Sequence, residues 1–344
     1  MTEAVLKYEE LTALVGEIFR KAGMGASQAA AMAGVIAAGE RDGAKSHGIY
    51  RIEGCLRTLK AGNAVADAVP MLEPDDGSAI VRVDAKSGFS PPAFALGAPV
   101  LAEKARRLGL AAMVVNDCTH FSALWHEVEA VADFGLSSIA MCPSYATVAP
   151  TGGTKPLLGT NPFAFAWPRQ GKPPYVFDFA TSVAARGEIE LHRRAGKPLP
   201  EGWALDKDGQ PTTDPEAALA GAMLPFGGHK GSAISTMIEL LAGIMLGDLT
   251  SQGALDRQGG STAVLPQHGE LVLAFSIDRF SAGRPGNPMA RAEDLFAALV
   301  GQGARLPSQR RFTARAKAAS QGILLSAAEM EQLSRLREQG LDAV

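Results

Sequence analysis

No Gly-x-Gly-x-x-Gly run occurs anywhere in the 344 residues. A dinucleotide held by this chain is therefore not held on a Rossmann fold, whose first turn needs those glycines. The chain does carry one glycine-rich turn, Leu224-Pro225-Phe226-Gly227-Gly228-His229-Lys230-Gly231, which runs into the apolar segment 232–246. Paired glycines let a backbone approach a ligand closely. Lys230 adds a point charge, and a helix starting here would aim its amides at an anion. The glycine spacing and the residue after the lysine both differ from a Walker A loop. A turn that needs glycine only for tight packing is the competing reading.

The remaining sequence divides by pattern. Residues 8–60 read as helical, with Leu11, Leu14, Val15, Ile18 and Phe19 at helical spacing and Ser27 as a candidate cap for an alanine-rich second helix. Ala79–Val83 reads as a strand, and 91–108 as a helix with Lys104, Arg106 and Arg107 in its last turn. Short β-like runs at 110–115, 138–142, 163–167, 175–179 and 270–277 then alternate with Gly/Pro-rich connections. Residues 291–300 and 308–339 are again helical and amphipathic. The pattern implies an α/β (α+β) chain: a helical unit from 1–115 with 291–344, around a sheet-containing unit at 116–290.

Bulk properties narrow the function. A formal charge of -3 argues against nucleic acid or an anionic membrane as the main partner. The run 232–246 is too short to span a bilayer and contains Glu239, so it reads as a buried helix. The first ten residues do not resemble a signal peptide, and Cys55, Cys118 and Cys142 form no CxxC pair. Reduced core thiols in a cytoplasmic protein are the expectation. The six histidines form no compact ligand set, and no metal site is expected.

Four further clusters carry chemistry. In Ser46-His47-Gly48-x-x-Arg51, His47 can exchange a proton near neutral pH, Ser46 can relay or orient, and Arg51 offers a planar fork for a carboxylate. A capped helix end with surface charges is the plainer alternative. His120-Phe121-Ser122-Ala123-Leu124 follows an apolar strand and suits the floor for a flat ring, although core packing also explains Phe121. Turn chemistry fully accounts for Gly159-Thr160-Asn161-Pro162. In Asp178-Phe179-Ala180, at a strand end, Asp178 either accepts from ribose hydroxyls or caps the next helix, and capping is the simpler reading.

These motifs, with Asp206-x-x-Gly209-x-Pro211-Thr212 and Arg305-Leu306-Pro307, occur in an order that resembles the non-Rossmann malate/L-lactate dehydrogenase family over nearly the whole chain. Hydroxyacid members of that family usually carry a His-Phe-Gly-x-Ala-Gly-Tyr-Tyr run. Here the run is His120-Phe121-Ser122-Ala123-Leu124-Trp125, which is similar to the branch that reduces Δ1-piperideine-2-carboxylate and Δ1-pyrroline-2-carboxylate. The resemblance implies a homodimer with a mostly antiparallel cofactor sheet and an NADPH-dependent reduction of a cyclic imino acid. It further implies His47 as proton donor, Ser46 as its partner, Arg51 on the substrate carboxylate and Thr160 near the reacting centre. His120, Phe121, Ser122, Ala123, Leu124, Asp178, Phe179, Ala180, His229 and Lys230 would hold the cofactor, and Arg284 would take the 2′-phosphate. A 2-hydroxy acid dehydrogenase on the same scaffold is the nearest alternative. A non-catalytic nucleotide binder is a second, opposed by the intact Ser46, His47 and Arg51.

Overall fold

A computed structural model describes residues 3–344. Its centre is a seven-stranded sheet whose spatial order is Met71–Leu72, Ile80–Asp84, Leu110–Thr119, Gln267–Phe275, Ser137–Met141, Phe163–Trp167 and Tyr175–Phe179. Only Ile80–Asp84 and Leu110–Thr119 pair in parallel, joined by the crossover helix Ser90–Leu108; every other neighbour is antiparallel. Apolar residues on one face (Val83, Met113, Val115, Ala140, Ala164, Val272) pack against Leu101 of that helix and Leu124, Val128 and Val131 around helix Trp125–Asp133. On the other face Val114, Met141 and Leu271 meet Ile238 and Ala242. The sheet is thus covered on both sides.

The chain ends close a second core. Helices Tyr8–Lys21, Ala26–Arg41 and Arg51–Lys60 bury Leu11, Phe19, Met32, Ile36, Ile52 and Leu56 against Leu333 and Leu336 of helix Ala327–Gln339. The strand Ala4–Leu6 pairs antiparallel with Ile323–Leu325. The helical stretch read at 308–339 is therefore two helices with a strand between them, and the strand follows Gly322. The sheet also draws Met71–Leu72, Ile80–Asp84 and the first half of Leu110–Thr119 from the 1–115 segment, so a division at 115 falls within one strand. A small third unit combines strands Ala204–Leu205, Pro211–Thr212 and Ala222–Met223 with helices Arg186–Arg194 and Pro215–Ala220.

The apolar run 232–246 is buried only in part, and it does not form one regular helix. The α-helix His229–Ile238 widens into a π-turn at Glu239–Gly243 and tightens into a 3-10 turn at Ile244–Leu246. Its buried acidic residue supplies a reason. Glu239 accepts from Asn161 Nδ2 (2.8 Å) and the Ser251 amide (2.8 Å), while Asn161 Oδ1 accepts from Ser251 Oγ (2.9 Å). The wide turn sits where this carboxylate ties the run to the 159–162 loop, a local departure of the kind common near functional sites. No single helix among the described residues is long and apolar enough to cross a membrane, although one bent helix pair passes by length and composition.

Replacing Glu239 by Leu leaves the Ser251 N–H without its acceptor and the Asn161 amide with Ser235 alone. Chemical denaturation of Glu239→Leu should show a loss of about 3 kcal/mol, as for other buried polar networks broken on one side. A loss below roughly 1 kcal/mol would show that this network does not hold the loop.

Candidate active site

One cleft of about 1370 Å³ opens between the sheet and the chain-end core. Ser46 and His47 reach it from the 3-10 turn Lys45–His47, which ends the helix Ala26–Arg41. That turn lies on the buried carboxylate of Glu40, which accepts from the Ile49 amide (3.1 Å) and pairs with Lys45. A Cβ at residue 48 would displace the Glu40 carboxylate that holds the turn, which favours glycine there. The motif spacing is therefore set by packing beneath the turn.

Above it the three polar side chains form one chain of contacts. Ser46 Oγ lies 2.9 Å from His47 Nδ1, Arg51 Nε donates to the Ser46 carbonyl (2.8 Å), and Arg51 Nη2 lies 3.4 Å from His47 Nε2. A guanidinium can only donate, so Nε2 faces it as an acceptor and the ring proton sits on Nδ1, toward Ser46. Burial, and then the Arg51 charge, push the imidazole down to about 3. His47 is neutral at physiological pH in this state.

The opposite wall is the end of strand Leu110–Thr119. A β-bulge sets Asn116 and Asp117 opposite Gly269, with Asp117 in the left-handed region (φ 52°). The Asp248 carboxylate holds the bulge by accepting from Asn116 Nδ2 (3.0 Å) and the Asp117 amide (2.9 Å). Beyond it His120 is anchored by its amide on the Pro266 carbonyl (3.1 Å), and Phe121 packs edge-on against Phe89 at 5.9 Å. His120, Phe121, Ser122 and Ala123 all line the cleft, whereas Leu124 is fully buried in the core behind it. Burial holds the His120 imidazole well below its ordinary range, and its Nε2 has no hydrogen-bond partner.

Asp178, Phe179 and Ala180 enter from the edge strand, and Thr160 from the loop that Asn161 pins. Asp178 is a cap, but of a different helix from the one expected. Its Oδ2 accepts from the Trp125 amide (3.0 Å) at the start of helix Trp125–Asp133, and the next helix, Arg186–Arg194, has no side-chain cap. Burial raises the Asp178 carboxyl to about 6, against the helix amides that lower it.

His229, Lys230 and Arg284 are exposed and do not line the cleft. The glycine turn still adjoins it. The Phe226 amide donates to Thr181 O (3.0 Å), and the Phe226 ring stands edge-on to Phe179 at 5.7 Å. Gly227 and Gly228 take φ of 55° and 60°, so the turn does require glycine.

Sequence reasoning missed several lining residues. Arg311 stacks over Trp125 at 4.0 Å and, with Arg315, pairs to Asp42 and Glu129. Arg186 and His268 also line the cleft. The i, i+4 arginines were visible in the sequence, but their acidic partners lie far away in the chain and gave no local signal.

A family model described as Malate/L-lactate dehydrogenase matches residues 6–334. A Delta(1)-pyrroline-2-carboxylate reductase from Agrobacterium fabrum is 69% identical, covering 98% of each chain. A Delta(1)-pyrroline-2-carboxylate/Delta(1)-piperideine-2-carboxylate reductase from Pseudomonas aeruginosa is 53% identical over 96% of this chain and 98% of its own. The crystal structure of delta1-piperideine-2-carboxylate reductase from Pseudomonas syringae superposes with a TM-score of 0.91 at 40% identity, covering 97% of this chain and 99% of that one.

The position of Arg51 makes its influence on His47 measurable. NMR titration should find His47 neutral down to acid pH in the wild type, and in Arg51→Met its titration should move up toward the ordinary imidazole value of about 6.5. An unchanged titration in that variant would mean that burial alone sets the depression.

Proposed function

The chain belongs to the malate/L-lactate dehydrogenase family, and we propose that it is an NADPH-dependent reductase of cyclic imino acids. Δ1-Pyrroline-2-carboxylate would give L-proline and Δ1-piperideine-2-carboxylate L-pipecolate. The observation that carries this reading is the Ser46–His47–Arg51 cluster facing His120–Ala123 across one cleft. The names of the relatives at 69% and 53% identity point the same way.

The residues present fit a nicotinamide nucleotide. The cleft is larger than the ~300–1,000 Å³ that most small-molecule sites need, leaving room for a dinucleotide beside a small acid. The His120 ring edge and the polar Ser122, Thr160 and Asp178 line the cleft and supply orienting groups. When bound, the nicotinamide supplies the hydride that reaches C2 of the substrate. We assign His120, Phe121, Ser122, Ala123, Asp178, Phe179 and Ala180 to hold the nicotinamide half. His229 and Lys230, at the rim beyond Phe226, are assigned to the phosphates; Arg284 follows the end of strand Gln267–Phe275 that pairs with Leu110, away from the cleft, and is not placed against the nucleotide.

The protein's share is orientation and one proton. Arg51 takes the substrate carboxylate in a charge-assisted pair, fixing C2 for attack. Burial is the larger cause of the lowered basicity of His47 and the Arg51 charge the smaller; the substrate carboxylate offsets the second and favours a proton on Nε2. Nδ1–H stays on Ser46, which keeps the ring oriented. Reduction of C=N places the hydride on carbon and needs a proton on nitrogen, and His47 Nε2 is the group that supplies it. The enzyme acts as a cytoplasmic homodimer in this reading, supported by three buried free thiols and an exposed apolar face at Leu240, Ile244 and Met245.

Oxidation of NADPH followed with both cyclic imines, pyruvate and oxaloacetate side by side tests the assignment. Fast turnover should be confined to the imines, and turnover of the keto acids alone would return the protein to the hydroxyacid branch. His47→Ala should lose ~100- to ~10,000-fold in kcat, the usual cost of a general acid, while still binding NADPH. Normal turnover in that variant would remove His47 from the chemistry.

A further inference from the structure

Behind the His120 wall, three titratable side chains meet with nothing to neutralise them. Glu127 comes from helix Trp125–Asp133 and Glu270 from strand Gln267–Phe275, one residue past the bulge. Their carboxylates and an imidazole nitrogen of His120 lie within 4.8 Å of one another. Glu270 is wholly buried, and Glu127 and His120 are 1% and 5% exposed. Both oxygens of Glu270, Oε2 of Glu127 and Nε2 of His120 have no hydrogen-bond partner. Only Ser122 Oγ reaches the group, 3.4 Å from Glu127 Oε1.

The surroundings carry no compensating cation. Asp178 and the Cys118 and Cys142 thiols face the carboxylates, and His268, His47 and Arg51 face His120. Arg51 is the one cation among these, and it acts on the imidazole. Two carboxylates in one dry site cannot both be charged without a partner. A neutral carboxyl gains a donor, and the imidazole nitrogen beside it lacks one.

We infer that Glu127 and Glu270 retain a proton between them and donate it as a hydrogen bond to His120, fixing which nitrogen of that ring is the acceptor at the cleft wall. Glu127 and Glu270 are then positioning residues acting through His120. With Nε2 accepting, the ring proton resides on Nδ1, and the imidazole meets a bound nucleotide in one tautomer. Burial raises Glu270 to about 8 and Glu127 well above its ordinary value, so the proton is present at neutral pH and is drawn off on the alkaline side. The effect on nucleotide binding rests on the assignment of His120 to the cofactor site; the proton pair itself does not.

The test is ¹⁵N-histidine NMR of the full chain over roughly pH 6 to 9, with NADPH binding followed in parallel. In the wild type His120 should show Nε2 unprotonated at neutral pH and change on the alkaline side, with the NADPH Kd rising over the same range. Glu270→Gln keeps a donor that does not titrate, so it should hold the tautomer and flatten the alkaline step. Glu270→Met removes the donor and should shift the tautomer at every pH. If Glu270→Met does not fold, the flattened step in Glu270→Gln decides. A His120 spectrum indifferent to both variants and to Glu127→Gln would overturn the inference. So would an equimolar divalent metal found in the purified protein by elemental analysis, because an ion would then be the missing cation. If the tautomer titrates as described while NADPH affinity does not move, the pair stands and the placement of His120 against the nucleotide fails.

Discussion

One carboxylate of Asp248, accepting from Asn116 and Asp117, holds open the bulge in the central strand pair. Without it, strand Leu110–Thr119 would continue in register beside Gln267–Phe275. With it, the strand end is re-aimed: Cys118 and Thr119 pair again beyond the bulge, and His120 and Phe121 leave the ladder toward the cleft. The same irregularity places Glu270 beneath His120 instead of beside Asn116. Bulges concentrate next to active sites for this reason: one extra residue changes what a strand end faces. The cleft wall, the buried trio and the stacking of Phe121 on Phe89 all depend on it.

The second requirement is a rigid floor on the other side. Asn161 spends its amide on Ser235 Oγ and Glu239, and its carbonyl on the Ser251 hydroxyl, at a backbone φ of 30°. Thr160 therefore enters the cleft from a loop whose next residue has no freedom left. The 46–51 motif is built likewise, on Glu40 under Gly48. In each case the polar group facing the cleft is exposed or half-buried, and the one fixing it is buried beneath. Preorganisation of this kind lets a site contribute orientation without moving.

How much of this was legible in the sequence follows from range. Elements with their own periodicity, such as Tyr8–Lys21 or Tyr175–Phe179, could be read locally. So could the polar cluster at the cleft, because Ser46, His47 and Arg51 are neighbours in the chain. The strand Ile323–Leu325 could not, since three apolar residues between helices have no period and acquire one only by pairing with Ala4–Leu6. Asp178 suggests a cap for the next helix, but the amide it accepts from is that of Trp125, 53 residues earlier in the chain. Nothing local to Glu127 and Glu129 distinguishes them, yet one faces a buried carboxylate and the other Arg311 and Arg315. Spacing shows that an acidic residue is present; only the fold shows whether water reaches it.

The pairing of Ala4–Leu6 with Ile323–Leu325 has a consequence for the order of synthesis. The segments that carry Ser46, His47 and Arg51 leave the ribosome before the sheet strands, but the apolar faces of their helices find Leu333 and Leu336 only after the whole sheet has been made. The central sheet has all seven strands once Phe275 has emerged. Domains fold largely as units during synthesis, so the nascent chain carries these helices with an incomplete core while the central sheet assembles. The Ser46–His47–Arg51 cluster is made before the sheet and fixed in place after it. A ribosome that stalls between Phe275 and Leu333 would leave a formed sheet and an open cleft.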